Sequence, residues 1–514
     1  MTRRGWLKTL PGLAAARSVP GEWLEAQEAP RGKLYVVLWF DTEDYILPQS
    51  DDAAKRVAAY LTSQGVRATF KVVGEKGRTL ERRGRSDVIG ALREHEIGYH
   101  SNTHSQHPTV AEYESALGWE EGVEEFTRRE RPGFDDLKRI FGQTPTCYGQ
   151  PGNSWAPQSY GALEKWGVRI YLDEAQHVGL DGKPFWYGGL LNIFNLPDGQ
   201  KLRPNDDWSN LAQAKADFQE IYFRTTSAPP GGLLSLYFHP CEFIHAQFWD
   251  AVNFSNGANP KPADWKLPPM KSPEECERHF KYLEDLVVYM KSFPGVQFVT
   301  ASGAFKIYPD TARMHPFTIP EIQEIARASA GGATFYRGPE YTLSAGEILA
   351  ILNKFVAGIV RKRAAEPGTV RNGAAPVLLE RAIAGPSSDP PEIARPEQVS
   401  WGDFERTVLD VSDRLDRTHQ VPSAVWFGSF GVPPESYLKA LAEVCATLVS
   451  RGERPAAVTL AVPQGGIAAA QYVAADTPKV WEWPIFPTGF HSAHLMSLGR
   501  LQAWTLKPAQ LRPA

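Results

Sequence analysis

The chain has 514 residues, 42% hydrophobic and 22% charged, a globular composition in a length too great for one core. Its 55 Lys and Arg against 59 Asp and Glu give a formal charge of -4, which offers no basic surface for nucleic acid or an anionic membrane. Four scattered cysteines (Cys147, Cys241, Cys276, Cys445) make neither a disulfide framework nor a C-x-x-C metal motif, and no run of eighteen apolar residues exists to span a membrane.

In chain order, TRRGWLK at residues 2–8 resembles a twin-arginine export signal, although the apolar stretch after it is broken by Pro11 and Gly12. Residues 1–30 therefore read as an export signal, placing the protein in the periplasm or outside the cell, or as a basic tail on a cytoplasmic protein. The run LYVVLWF at 34–40 reads as a buried strand and ends abruptly in Asp41-Thr42-Glu43-Asp44. An amphipathic helix over 53–65 stops at Gly65 and is followed by the strand ATFKVV at 68–73. After a helical stretch at 87–94, EIGYH leads into His100-Ser101-Asn102-Thr103-His104. A helix at 158–166 precedes a strand at 167–172; a buried strand at 232–238 ends at His239; a helix at 273–292 precedes a strand at 296–300. Strands alternating with helices, with polar chemistry at strand C-terminal ends, predict an α/β fold built as a parallel barrel, complete or not.

Beyond about residue 315 the pattern becomes mainly helical α+β. Ser344 opens an amphipathic helix with Glu347 at the capping-box position, and Ser400 opens another over 401–415. Each is followed by a Pro-led apolar segment and then a PPE turn, at 390–392 and 433–435, which reads as an internal duplication of about sixty residues. Loops are expected at 368–375 and 385–396. The expected domains are 1–30, 31–312 and 313–514.

Two imidazoles four residues apart, with a carboxylate from another strand end, can hold one divalent metal and leave a coordination position open for hydrolysis. The 15 Trp, 18 Tyr and 25 Phe would suit sugar stacking, but large cores need aromatic residues as well.

The acid-terminated strand, ATFKVVG, HEIGYHSNTH, a Pro-Gly turn and a strand ending in His follow one another in an order that resembles the NodB-homology polysaccharide deacetylases over about 31–310. That resemblance implies a distorted (β/α) barrel with one divalent metal, usually zinc with Co, Mn or Ni as alternatives. It implies Asp41 as catalytic base, His239 as general acid, and His100 and His104 as metal ligands. The third ligand is Glu43 or Asp44, because Thr42 separates acids that the family commonly places side by side. Tyr148-Gly149-Gln150-Pro151-Gly152-Asn153-Ser154-Trp155 occupies the third motif. Gly149 stands there where the family carries an Arg paired with the catalytic Asp, so Gln150 or a residue from elsewhere must partner Asp41. Tyr148 and Trp155 are expected to wall the pocket, and Gln150, Pro151 and Gly152 to contact substrate or oxyanion. Asp173 is expected to orient the general acid, His107 to orient a ligand or lie in an exposed loop, and Leu233 and Leu236 to line an acetyl pocket.

The expected function is metal-dependent hydrolysis of a carbon–nitrogen amide bond other than a peptide, removing N-acetyl groups from a cell-wall or other polysaccharide. The alternatives are hydrolysis of a small non-acetyl amide, cyclic ureide or imide, and a non-catalytic glycan-binding protein on the same fold. Residues 313–514 faintly resemble pseudomurein-binding repeats, which would attach the protein to a cell-wall polymer.

Overall fold

A computed structural model describes residues 31–204, 207–365, 376–463 and 465–513; the twin-arginine stretch and the whole 368–375 loop lie outside them. Strand β1 (Lys33–Thr42) organises the fold and is buried from Leu34 onward. Its apolar run lacks alternation because both faces are covered, as in parallel sheets. Leu34, Val36, Leu38 and Phe40 join the main core beneath the helices, while Val37 and Trp39 join a second core with Ala301 and Ala304 of the helix Ala301–Ile307. Asp41 continues that second, odd-numbered face.

The remaining strands of the sheet are β2 (Thr69–Val72), β3 (Glu96–Tyr99), β4 (Cys147–Tyr148), β5 (Ile170–Asp173), β6 (Phe185–Tyr187), β7 (Leu190–Phe194), β8 (Gly231–Phe238) and β9 (Val296–Val299). Their order is β6-β7-β5-β4-β3-β2-β1-β8, with β9 pairing the first half of β1. All pairings are parallel except β6 with β7. This is a distorted, open (β/α) barrel. Asp41, His100, Gly149, Asp173 and His239 all fall at or just past the C-terminal ends of its parallel strands, where such folds gather their chemistry.

The C-terminal region, where a sixty-residue duplication was expected, alternates short strands with helices. Its strands are β10 (Tyr336–Arg337), β11 (Thr342–Leu343), β12 (Glu397–Ser400), β13 (Val425–Phe427), β14 (Phe430–Val432) and β15 (Ala457–Leu460). Its helices are α1 (Ile319–Ser329), α2 (Ala345–Ala365), α3 (Trp401–Thr418) and α4 (Pro434–Arg451). Among the described residues each of these four helices is flanked by strands or by an isolated bridge residue, and the resulting units associate in pairs, while a further helix, Ala493–Gln502, stands outside them. In one pair β10 meets β11 and Phe317 bridges Val377; in the other β13 meets β14 and β12 meets β15, all antiparallel. Thr318 and Ser344 open their helices with capping boxes to Glu321 and Glu347, and Ser400 accepts from the Asp403 N–H. Only the second PPE turn behaves as a helix start. Pro433-Pro434-Glu435 leads into α4, whereas 390–392 stay irregular because Pro396 follows too closely for a helix to form. No described helix is long and apolar enough to cross a membrane.

The last fifty residues return to the barrel. Val473 bridges Val178, and β16 (Lys507–Pro508) adds an antiparallel edge to β6. The Lys507 ammonium, buried, meets Asp310 at 2.7 Å and the α2 capping residue Glu347 at 2.8 Å, tying sheet edge to repeat region. Removing one partner of such a cluster leaves buried charge unpaired. Lys507→Ala should therefore cost about 3–5 kcal/mol in denaturant unfolding of the full chain.

Candidate active site and its metal cradle

Glu43, His100 and His104 bring three donor atoms within 4.8 Å of one another, all buried. The Nε2 atoms of His100 and His104 lie 3.2 and 2.9 Å from the same carboxylate oxygen, Glu43 Oε2. His100 donates Nδ1–H to the Gly149 carbonyl at 3.0 Å, so in the neutral ring Nε2 is a bare lone pair. His104 Nε2 has no hydrogen-bond partner despite its closeness to the carboxylate. Trp249 donates its indole N–H to Glu43 Oε1 at 2.8 Å and fixes the carboxylate so that Oε2 faces the imidazoles. With both rings neutral, two imidazole lone pairs and an anionic oxygen would converge on one point, a donor set that fits a divalent cation of the zinc type.

The histidine loop is not helical. Ser101 (φ 64°) and His104 (φ 55°) both hold left-handed backbone, and the His104 N–H donates to Ser101 Oγ at 3.1 Å. Non-glycine residues enter that region at a cost of about 1 kcal/mol or more each, a strain typical of functional loops. Burial would raise the Glu43 carboxyl, but His104, His239 and His100 outweigh it and hold it well below the ordinary carboxylate range.

Asp44 is not part of the cradle. Its Oδ1 accepts the Ile46 and Leu47 N–H groups at 2.8 and 3.2 Å, closing the turn after β1, and its Oδ2 faces His245 at 3.1 Å. Asp41 points the other way. Its Oδ2 lies 3.8 Å from His239 Nε2, and its Oδ1 lies 3.6 Å from His100 Nδ1.

Several expected neighbours are elsewhere. Asp173 does not touch His239; its Oδ2 pairs with Lys71 at 3.0 Å and its Oδ1 accepts the Glu174 N–H. His239 Nδ1 is instead partnered by Glu242 at 3.1 Å, which is bound in turn by Arg203 at 2.8 Å. Burial would lower the His239 imidazole, but Glu43, Glu242 and Asp41 push it up to about 9. Tyr148 lies in the core among Tyr99, Phe126 and Tyr171, because strand alternation turns it away from the face that Gly149 shares with Asp173. Trp155 is buried against His177, and Gln150 accepts the Tyr171 hydroxyl at 2.7 Å rather than contacting Asp41. In the Pro151-Gly152 turn, the Gly149, Ser154 and Trp155 N–H groups are spent on Tyr99, Pro151 and Asn153 carbonyls. His107 binds Glu112 at 2.7 Å and the Phe254 carbonyl, away from the ligands. His104 takes Ser105 Oγ as its Nδ1 partner instead, at 2.6 Å. Leu233 and Leu236 lie on opposite faces of β8 and line no common pocket.

Sequence reasoning missed several contributors, Trp249, Ser105 and Arg203 among them. Lys71 is wholly buried and meets Asp41 Oδ1 at 3.0 Å, Asp173 Oδ2 at 3.0 Å and the Leu172 carbonyl at 2.8 Å. A lone cation inside ATFKVVG was the signal for it, since a buried lysine must be paired. Glu242 could have been found from its i+3 spacing to His239. Trp483, from the returning C-terminal segment, packs edge-on to His104 at 5.6 Å and lies where a Cβ on Gly152 would be. Nothing in its local sequence marks it.

No protein-family model matches the sequence. No curated protein is similar to it. Among solved structures, the chain is similar to a mutant peptidoglycan deacetylase of Bacillus subtilis, with a TM-score of 0.28 and 12% identity over 54% of this chain and 91% of that one. It is similar to a mutant of a CE4 family pseudoenzyme of Bacillus anthracis with restored activity, with a TM-score of 0.29 and 14% identity over 53% and 68%. It is also similar to a 4-alpha-glucanotransferase of Thermococcus litoralis, with a TM-score of 0.37 and 12% identity over 54% and 40%. At these scores the overlap assigns no chemistry, which must come from the side chains.

The cradle separates the two candidate acids. Zinc titrated into the full chain by calorimetry should bind more than about 100-fold more weakly to Glu43→Ala and His100→Ala. Asp44→Asn, whose amide oxygen can keep the turn closed, should bind as the parent does.

Proposed function

We propose that this chain is a metal-dependent amidohydrolase that removes acetyl groups from N-acetylated glycans. The observation that carries the reading is the Glu43–His100–His104 cradle with Asp41 and His239 beside it, Asp41 Oδ2 and His239 Nε2 standing 3.8 Å apart. A divalent cation in that cradle would polarise an amide carbonyl and acidify water at the site. Asp41 accepts the proton of the attacking water at a carboxylate oxygen. His239 hands a proton from Nε2 to the departing nitrogen, while Glu242 accepts its Nδ1–H and holds the ring in place. One water is consumed, the amide C–N bond breaks, and a carboxylic acid and an amine leave.

Enclosure of the site supports a second reading, a compact amide or cyclic ureide as substrate. Asp41, Glu43, His100 and His104 are only 4, 3, 2 and 4% exposed. Trp249 and Trp483 pack on His104. The His239 side chain, 18% exposed, faces Phe248, which also lines a groove of about 1040 Å³ with Trp208, Glu242 and Lys271. A long glycan would have to enter from that side. Comparing acetate release from chitin oligomers with hydrolysis of small amides by the zinc-loaded chain separates the two readings. Turnover confined to small amides would overturn the glycan assignment.

On the true substrate, Asp41→Asn and His239→Ala should each lose about 10²–10⁴ in kcat. His239 donates only when protonated, and its raised pKa keeps it so until alkaline pH, so activity should fall as pH climbs through that pKa. Glu242→Gln removes one of the groups that raise it and should move the alkaline limb of kcat/KM to lower pH.

A further inference from the structure

Lys71 crosses the barrel through a slot that only glycine can leave open. It sits opposite Asp41 in the β1–β2 register, and its ammonium lies 4.1 Å from the Trp39 ring. Gly98, the next residue in register on β3, would place a Cβ 2.9 Å from Lys71 Cγ and 2.6 Å from Cys147 Sγ. Gly149, past β4, would place one on the ammonium itself and against Asp173. The ammonium thus forms ion pairs with both Asp41 and Asp173, each at 3.0 Å, and donates to the Leu172 carbonyl at 2.8 Å. Burial would strip its proton, but the two carboxylates outweigh burial and raise its pKa, so it is a cation.

We infer that Lys71 is the positioning residue for Asp41, and that Gly149 is its obligate partner because it vacates the space the ammonium occupies. The inference rests on the amidase reading, in which Asp41 is the base. A base inside the barrel needs a fixed rotamer and a compensating cation. Gly149, whose Cβ would fall against Asp173, supplies no side chain for either. Lys71 supplies both from the neighbouring strand, with Asp173 anchoring its far side so that the ammonium cannot follow Asp41 into the pocket. The Leu172 carbonyl and Asp173 Oδ2 accept ammonium protons, while Asp41 Oδ1 stands at ion-pair distance with no hydrogen-bond partner of its own, so the ammonium charge is what holds it. A shift of about 1 Å in a reacting group can cost about 100-fold in rate.

The test uses the zinc-loaded full chain with acetate release from chitin oligomers, or a small amide where that is the substrate turned over. Lys71→Met should lower kcat about 100-fold with KM and zinc content unchanged. Gly149→Ala, whose methyl displaces the ammonium, should reproduce that loss while Lys71 is still present. Lys71→Ala should regain activity several-fold on adding ethylammonium, a rescue that a merely structural brace would not give. An inactive Asp41→Asn beside a fully active Lys71→Met overturns the inference alone, as does a loss in Lys71→Met that tracks lost zinc. Wild-type protein without turnover, or an undiminished Asp41→Asn, overturns the amidase reading and the inference with it.

Discussion

Charge compensation inside the barrel is the constraint on which the site depends. Asp41, Glu43, Asp173 and Glu242 all lie in or beside a low-dielectric interior, where an unpaired carboxylate is costly. Lys71 serves Asp41 and Asp173, and Arg203 with His239 serves Glu242. Glu43 is left facing two imidazole nitrogens, one of which is committed to a lone pair by its bond to Gly149. That residual negative charge beside the imidazoles is the observation behind the proposed cation position. The strained loop at Ser101 and His104 is what brings the second nitrogen to it.

The C-terminal region is part of this arrangement and not an appendage. Its repeats pack as paired strand–helix–strand units, and the chain then returns to lay Trp483 over Gly152 and to add β16 to the barrel edge. The ion cluster of Lys507, Asp310 and Glu347 fastens that return. A wall of the site is thereby built from residues more than three hundred positions away from the histidine it covers.

Much of the fold was legible because parallel barrel strands announce themselves as unbroken apolar runs that end in polar chemistry, as LYVVLWF does before Asp41 and the strand before His239 does. Local spacing likewise exposed His100 and His104. What spacing could not show was direction. Glu43 and Asp44 are neighbours in sequence, yet one turns into the barrel and the other closes a turn, and only the path of the chain after β1 decides it. Tyr148 was misplaced for the same reason, since strand alternation sends it into the core. The orienting role expected of Asp173, and offered to His107 as one of two readings, fell to Glu242 and Ser105, because the partner of an imidazole is set by the backbone turn that carries it. The pairing of strands and helices in the C-terminal region was obscured by PPE at 390–392, identical in letters to the later helix start but followed by Pro396.

The central claim is a divalent cation held by one carboxylate and two imidazoles at the barrel mouth. Anomalous diffraction at the zinc edge, from crystals of the full chain grown with zinc, tests it most directly. The account predicts one strong peak bounded by Glu43 Oε2, His100 Nε2 and His104 Nε2. Absence of a peak there, or a peak instead between Asp44 and His245, would contradict it.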